Sequence, residues 1–203
     1  MSNLTRRTAL LGTLFALSGC SAITSINAAT KPLDTYDLRP AAGSTKGRRT
    51  SRTLLVARPQ APAALATDRI MVKPDAASIT YLPDARWSDE IPAVVQSLLI
   101  RSISETGRVA YVGRSDAGPI PDKALLVRID AFEVNALADG TFEAQLDFDL
   151  TIINDKDQRV VASRRFSQSQ PVANDSAKAI VAVFQEALNV LLPAMSDWAI
   201  ERI

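Results

Sequence analysis

The sequence predicts an α+β fold: a two-layer sandwich in which two amphipathic helices pack on one face of a mainly antiparallel sheet. Apolar residues recur every three or four positions in two segments, which is the pattern of a helix with one buried face. In several other segments apolar and polar residues alternate, which is the pattern of a strand with one wet face. Each helix has one apolar stripe to bury, so both helices are expected to cover the same face of the sheet.

Residues 1–19 have the plan of a signal peptide. Arg6 and Arg7 give a positive start, and an apolar core follows over residues 9–17. That core is too short to span a bilayer. The two arginines leave both the general secretory route and the twin-arginine route open.

The signal peptide ends in Leu-Ser-Gly-Cys, residues 17–20, which resembles the lipobox of bacterial lipoproteins. We expect cleavage between Gly19 and Cys20, because a thiol can carry a diacylglyceryl group and the small residues before it admit the signal peptidase. The two or three acyl chains of a lipoprotein would anchor it stably. A serine directly after the cysteine, here Ser21, resembles the signal that sorts lipoproteins to the outer membrane. We therefore expect the protein in the inner leaflet of the outer membrane, facing the periplasm.

The mature chain is expected to hold one domain. Residues 20–34 are small and polar and predict a tether, and residues 35–203 are enough for one sizeable core. Loss of the leader lowers the formal net charge from +1 to −1, which disfavours a nucleic-acid partner. The chain has no histidine and one cysteine, so we predict no internal disulfide, no metal and no cofactor.

The first helix is predicted over residues 91–103, where the apolar spacing is clearest. Ser88 is the predicted N-cap, and the two acids after it suit the positive end of a helix. Trp87, just before that cap, is placed to pack on the first turn. Gly107 predicts the left-handed residue that ends the helix.

The strands are predicted from alternation and from the turn signals that bound them. The extended runs are residues 36–38, 53–57, 70–72, 79–82, 109–112, 125–134, 142–152 and 160–168. Asp139-Gly140 and the polar run 154–157 separate the last three strands, which predicts an antiparallel meander.

The closing helix carries an apolar stripe over residues 180–195. Asn174 or Asp175 is its predicted cap. Pro193 is expected to kink or end the helix, because its ring opposes the carbonyl group of Asn189.

A turn-rich loop over residues 41–52 carries Lys46, Arg48, Arg49 and Arg52. Two interpretations remain open from the sequence: contact with anionic head groups, or a solvated hairpin tip. The shortness of the cationic run favours the solvated tip.

The acidic residues have structural explanations. Asp147 and Asp149 share one face of a strand and could act as an acid and base pair or bind a cation, but alternation alone demands polar residues there. The run 154–157 lacks the glycine and glutamate of an EF-hand loop. The sequence has no Gly-x-Ser-x-Gly elbow and no Walker A motif, so we predict no enzymatic activity.

The run RIMVKPDAASITYLPDARWSDEIPAVVQSLLIRSI, residues 69–103, carries a family resemblance, together with the lipobox and a Tyr-x-Leu at residues 36–38. The chain resembles the ABC-type transport auxiliary lipoprotein family over residues 33–200. The resemblance implies an accessory subunit of a mammalian-cell-entry (MCE) type transporter of phospholipid or another hydrophobic molecule. The implied partners are an MCE-domain protein and the ABC permease and ATPase subunits; a homo-oligomer is left open.

Tyr81 and Trp87 are the aromatic residues predicted to contact a partner, because aromatic anchors dominate many interfaces. Packing in the core is the alternative for Trp87. The predicted role is docking without catalysis. The alternative is an envelope-assembly or scaffolding lipoprotein that binds an outer-membrane protein or glycan, and the missing histidine disfavours a periplasmic hydrolase.

Overall fold

The computed structural model describes residues 32–114 and 118–203. The predicted signal peptide, Gly19 and Cys20 lie outside the described residues. Residues 34–203 form one unit around a shared apolar core. The strands are β1 (Asp34–Tyr36), β2 (Thr50–Val56), β3 (Arg69–Lys73), β4 (Thr80–Trp87), β5 (Val109–Gly113), β6 (Lys123–Ala136), β7 (Phe142–Asn154) and β8 (Val160–Val172), and the helices are α1 (Ile91–Ser104) and α2 (Ala177–Ile200).

The described strands form one sheet built around the long strand β6. One edge of β6 pairs along its length with β7, and β8 lies beyond β7. The other edge is shared, because β2 pairs with the first residues of β6 and β3 with the last. The strand β5 then lies beyond β2, and β4 and β1 lie beyond β3.

The sheet is mixed, so the prediction of a mainly antiparallel sheet is wrong. Of the seven pairings between described strands, four are parallel: β1 with β4, β2 with β5, β2 with β6, and β3 with β6. Parallel partners need a long connection between them. The chain supplies one by placing β3, β4 and α1 between β2 and β5.

The strands β6, β7 and β8 form the predicted antiparallel meander. Apolar side chains of β7 alternate toward the core as predicted, and the register places Phe148 opposite both Ile129 and Phe166. In β8, Val160 and Val161 remain exposed. The ladder of β6 is irregular between Ile129 and Ala131. Gly140 has a φ of 81°, which suits the predicted tight turn between β6 and β7.

Both helices bury their apolar stripes in the common core, as predicted. The helix α1 packs on β2 and β5, α2 packs on β7 and β8, and the two helices contact each other. By length and composition α2 would also suit a membrane span, but eleven of its residues are buried within the protein.

The helix α1 begins at Ile91, two residues later than a cap at Ser88 implies. Glu90 is its N-cap residue and makes no side-chain capping bond, and Pro92 stands in the first turn, where no backbone N–H is required. The predicted cap, Ser88, instead donates its hydroxyl to Asp37 Oδ1 at 2.9 Å. The prediction of Ser88 as the cap is therefore wrong. Gly107 has the predicted left-handed conformation, with a φ of 62°.

The helix α2 is capped by Ser176, whose hydroxyl accepts from the backbone N–H of Ala179 at 3.3 Å. The predicted caps are one and two residues too early, because the side chain of Asn174 accepts from the N–H of Ser176 and so precedes the helix. The helix does not end at Pro193 but continues to Ile200, since the residues after the proline include the buried Trp198.

Candidate functional site

The chain between β1 and β2 runs along both helices before it reaches the surface. The backbone N–H of Arg39 donates to Gln185 Oε1 at 2.8 Å, and its carbonyl accepts from Gln185 Nε2 at 3.1 Å. The N–H of Ala41 donates to the hydroxyl of Ser102 at 3.1 Å. Leu38 is 2% exposed and fixes this segment in the core. The segment is therefore tied to α1 and α2 on its way to the cationic loop.

Arg108 holds the next residues, 44–49, which we call the basic loop. Its guanidinium is nearly buried and pairs with Asp197 Oδ1 in α2 at 3.0 Å. It also donates to the backbone carbonyls of Ser44 and Arg48, each at 3.3 Å. The N–H of Ser44 donates to the same Asp197 oxygen at 2.9 Å. Since burying a charge is costly unless it is paired, this network fixes both Arg108 and the loop.

Two glycines allow the loop to lie close to this network. Gly47 has a φ of 119°, and a Cβ atom there would lie 3.0 Å from Nη2 of Arg108. A Cβ at Gly43 would lie 2.8 Å from Oδ1 of Asp197. The path of the basic loop therefore depends on the absence of side chains at both positions.

The cations of the basic loop face solvent. Lys46, Arg48 and Arg49 are exposed, and none of them forms a salt bridge within the described parts of the chain. Arg52, just beyond the loop, differs because it lies near Asp122. The pKa of Asp122 is lowered by hydrogen bonds from Thr53 and, less strongly, by the charge of Arg52. Three unpaired cations therefore lie within four consecutive residues of the basic loop.

The acidic pair on β7 is engaged in ion pairs. The carboxylate of Asp147 accepts hydrogen bonds from Nε and Nη2 of Arg165. These bonds raise the pKa of Arg165. Asp149 pairs with Nη2 of Arg128 at 3.4 Å, and Arg128 also holds Asp130 at 2.7 Å. Each aspartate therefore has its own arginine, and the structure does not bring the two carboxylates together as an acid and base pair.

The outward face of the meander is less solvated than predicted. Asp147 is 2% exposed and Glu133 is 3% exposed, and Glu133 pairs with Nζ of Lys73 at 2.6 Å. The prediction of a solvated face is wrong at Asp147, because its carboxylate is buried in a pair with Arg165 on β8. Within residues 32–114 and 118–203, no three histidine, cysteine, aspartate or glutamate residues are grouped to hold a metal ion.

Trp87 lies in the core. It is 1% exposed, and its ring packs edge-on against Phe132 and Phe184 at centroid distances of 5.7 and 5.2 Å. Its side chain offers no surface to a partner in this fold, and core packing is the role that the structure gives it. Tyr81 is half-buried, and its hydroxyl donates to the carbonyl of Ala64 at 3.0 Å. Contact of Tyr81 with a partner stays a prediction.

Sequence reasoning did not identify Arg108 or Asp197. The only local signal is an arginine placed directly after Gly107, three residues beyond the end of α1. Asp197 is 89 residues further along the chain, and no spacing rule connects the two. The basic loop itself was visible from its composition, but the residues that hold it were not.

The fold belongs to a class of bacterial domains with solved structures. A protein of Xanthomonas campestris assigned to DUF330 has a TM-score of 0.76 and 24% identity, and the similarity covers 83% of this chain and 96% of that one. A hypothetical protein of Chlamydia trachomatis has a TM-score of 0.51 and 7% identity over 75% of this chain and 98% of that one. At these identities the likeness establishes the fold alone.

The family is established by a match that spans residues 36–196, described as the ABC-type transport auxiliary lipoprotein component. The chain belongs to this family, as its sequence predicts. An uncharacterized protein of Bradyrhizobium diazoefficiens is 31% identical over 169 residues, or 82% of this chain, and the chain spans 44% of the length of that relative. The family description, a lipoprotein component auxiliary to ABC-type transport, supports an envelope-associated location.

Proposed function

We propose that this protein is a non-catalytic accessory subunit of an MCE-type ABC transporter that moves phospholipid or another hydrophobic molecule. It faces the periplasm and is held by acyl chains on Cys20 in the inner leaflet of the outer membrane. An MCE-domain protein is its direct partner, and the permease and ATPase supply the energy. The observation that carries the proposal is the family match over residues 36–196, which covers nearly the whole domain.

The side-chain chemistry of the described domain is consistent with docking. Its buried carboxylates, Asp147 and Glu133, are tied in ion pairs, and its most buried aromatic residues pack against one another. These contacts stabilise the domain. Its exposed groups are then available for a partner or a surface.

Affinity capture from the native envelope tests the partnership. The full chain, tagged at its C-terminus and extracted in mild detergent, is expected to bring down an MCE-domain protein with its permease and ATPase. An abundant chain that captures none of them, together with unchanged permeability to detergent and bile salt after its deletion, would contradict the transporter assignment. Capture of an outer-membrane barrel or of glycan instead would favour the scaffolding alternative.

The lipid anchor has its own test. Mass spectrometry of the protein isolated from its own cells is expected to find Cys20 as the first residue, carrying acyl chains. The Cys20→Ser variant is the matched control and should lose both the lipid and its retention in the membrane fraction. An N-terminus upstream of Cys20 without lipid would refute the anchor and leave the family assignment intact.

Tyr81 can be tested as a partner contact with two variants. Tyr81→Phe keeps the ring and removes only the hydrogen bond to Ala64, whereas Tyr81→Ser removes the ring. If the ring contacts the MCE-domain protein, Tyr81→Ser weakens capture and Tyr81→Phe retains it. Equal capture by all three folded proteins would exclude Tyr81 from the interface.

A further inference from the structure

We propose that the basic loop docks on an anionic bilayer surface by binding lipid phosphates, and that the exposed Ile120, which lies against β2, adds an apolar contact. The proposed site consists of Lys46, Arg48 and Arg49 as phosphate contacts and Ile120 as an apolar contact. The proposal concerns the membrane and does not depend on which transporter the protein serves.

Charge is the first argument for a phosphate surface. Between Asp37 and Asp68 the sequence contains six lysines and arginines and no acid. The three cations on the basic loop are exposed and form no salt bridge with a described residue. Lysine and arginine side chains are the usual ligands of lipid phosphates, and each one near an anionic surface adds to binding.

The rigidity of the loop is the second argument. A solvated tip needs no internal support, but this loop is held by a nearly buried guanidinium, that of Arg108, through Asp197 and two backbone carbonyls. Because the backbone is already ordered, less conformational entropy is lost when the cations bind. This network favours the head-group interpretation over the solvated tip.

Ile120 is the third argument. Its side chain is 90% exposed, the largest exposure among the large apolar residues of the described chain. Its carbonyl accepts from the hydroxyl of Thr53 at 3.1 Å, so it lies against β2, the strand into which the basic loop leads. At a bilayer surface its side chain would add apolar burial to the phosphate contacts of the cations.

A membrane is the binding partner that the predicted lipid anchor brings close to the basic loop. The predicted anchor at Cys20 keeps the domain at a membrane, and the 15 residues from 20 to 34 can reach roughly 50 Å when extended. Because the tether keeps the domain near the membrane, the basic loop meets lipid at a high effective concentration. A weak contact is then enough for binding. Nucleic acid is disfavoured, because the mature chain has a net charge of −1.

Vesicle sedimentation tests the proposal with the whole mature chain carrying Cys20→Ser, which removes the anchor. We expect binding to vesicles of phosphatidylcholine with about 30% phosphatidylglycerol, weakening as salt rises, and little binding to pure phosphatidylcholine. The triple variant K46Q/R48Q/R49Q is expected to bind roughly 100-fold more weakly, and Ile120→Ser several-fold more weakly. The variants alter exposed side chains, so their thermal unfolding should match that of the parent.

The matched control is R101Q/K156Q/K178Q, which removes the same charge from exposed positions outside the loop that, like the loop cations, form no salt bridge with a described residue. Its binding should stay within about threefold of the parent. The proposal is overturned if the parent does not prefer anionic vesicles, or if the control loses as much binding as the loop variant. The vesicles contain no transporter, so this result is independent of MCE capture.

Discussion

Single charged residues stabilise the outward face of the meander, and Asp147 is the clearest case. Asp147→Asn removes the charge from a buried carboxylate that binds two nitrogens of Arg165, and it leaves a buried amide with poor partners. We expect a loss of about 2 kcal/mol in the free energy of unfolding, since Arg165 itself stays in contact with water.

Asp149→Asn is the matched control for Asp147→Asn. Its carboxylate is half-exposed and lies 3.4 Å from Arg128, so the expected loss is below about 0.5 kcal/mol. Urea unfolding of both variants measures the difference. Equal losses would show that burial does not distinguish the two carboxylates.

Gly47 is a second residue with a specific requirement. Its φ of 119° is strained for any residue with a side chain, and a Cβ there would also press on Arg108. Gly140, with a φ of 81° and open space around it, carries only the conformational cost. We expect Gly47→Ala to destabilise the protein by about 2–3 kcal/mol and Gly140→Ala by about 1 kcal/mol, measured by urea unfolding. A smaller loss at Gly47 would mean that the loop does not depend on its contact with Arg108.

At the scale of elements, local pattern predicted the helices and most strands but not how the strands pair. The alternation along β7 specifies which of its side chains enter the core, because period-two alternation is a local property. The parallel pairing of β2 with β6 depends on contacts between residues far apart in sequence, such as Leu54 with Lys123, and no local signal encodes it.

The helix starts and the candidate site show the same limit. Ser88 has the right residue type and position for a cap, but its hydroxyl donates a hydrogen bond to Asp37, which lies 51 residues away in the sequence. The basic loop could be recognised from its composition, whereas the pairing of Arg108 with Asp197 could not. Residue type therefore predicts what a side chain is able to do, and tertiary contacts decide what it does.

Pro193 allows a prediction for the element α2. Proline inside a helix removes one hydrogen bond and opposes a carbonyl in the preceding turn, here that of Asn189. Pro193→Ala is expected to raise the free energy of unfolding by about 1–3 kcal/mol. Pro92→Ala is the control, because Pro92 lies in the first turn of α1 and is buried, so the loss of packing should make that variant slightly less stable. If Pro193→Ala also destabilises, the ring of Pro193 contributes packing that outweighs its helix penalty.

At the scale of the whole molecule, acid stability depends on carboxylates that accept hydrogen bonds in the folded state. The pKa of each is lowered by such bonds: Asp75 by Ala77 and Ser78, Asp122 by Thr53, Asp130 by Arg128, Asp139 by Thr141, and Asp157 by Asn154 and Arg159. When the folded state has the lower pKa, the unfolded state binds protons first as the pH falls. These groups therefore contribute their stability fully above the ordinary aspartate pKa and lose it progressively below.

The absence of histidine determines how stability depends on pH near neutrality. Histidine is the side chain whose ordinary pKa lies between pH 5 and 8, and this chain has none. We expect the urea midpoint of the mature chain to be nearly flat from about pH 5.5 to 8 and to fall below about pH 4. Asp130→Asn should make the acid limb shallower, because it removes one of the groups that the unfolded state protonates first. A steep loss of stability between about pH 5 and 7 would contradict this expectation.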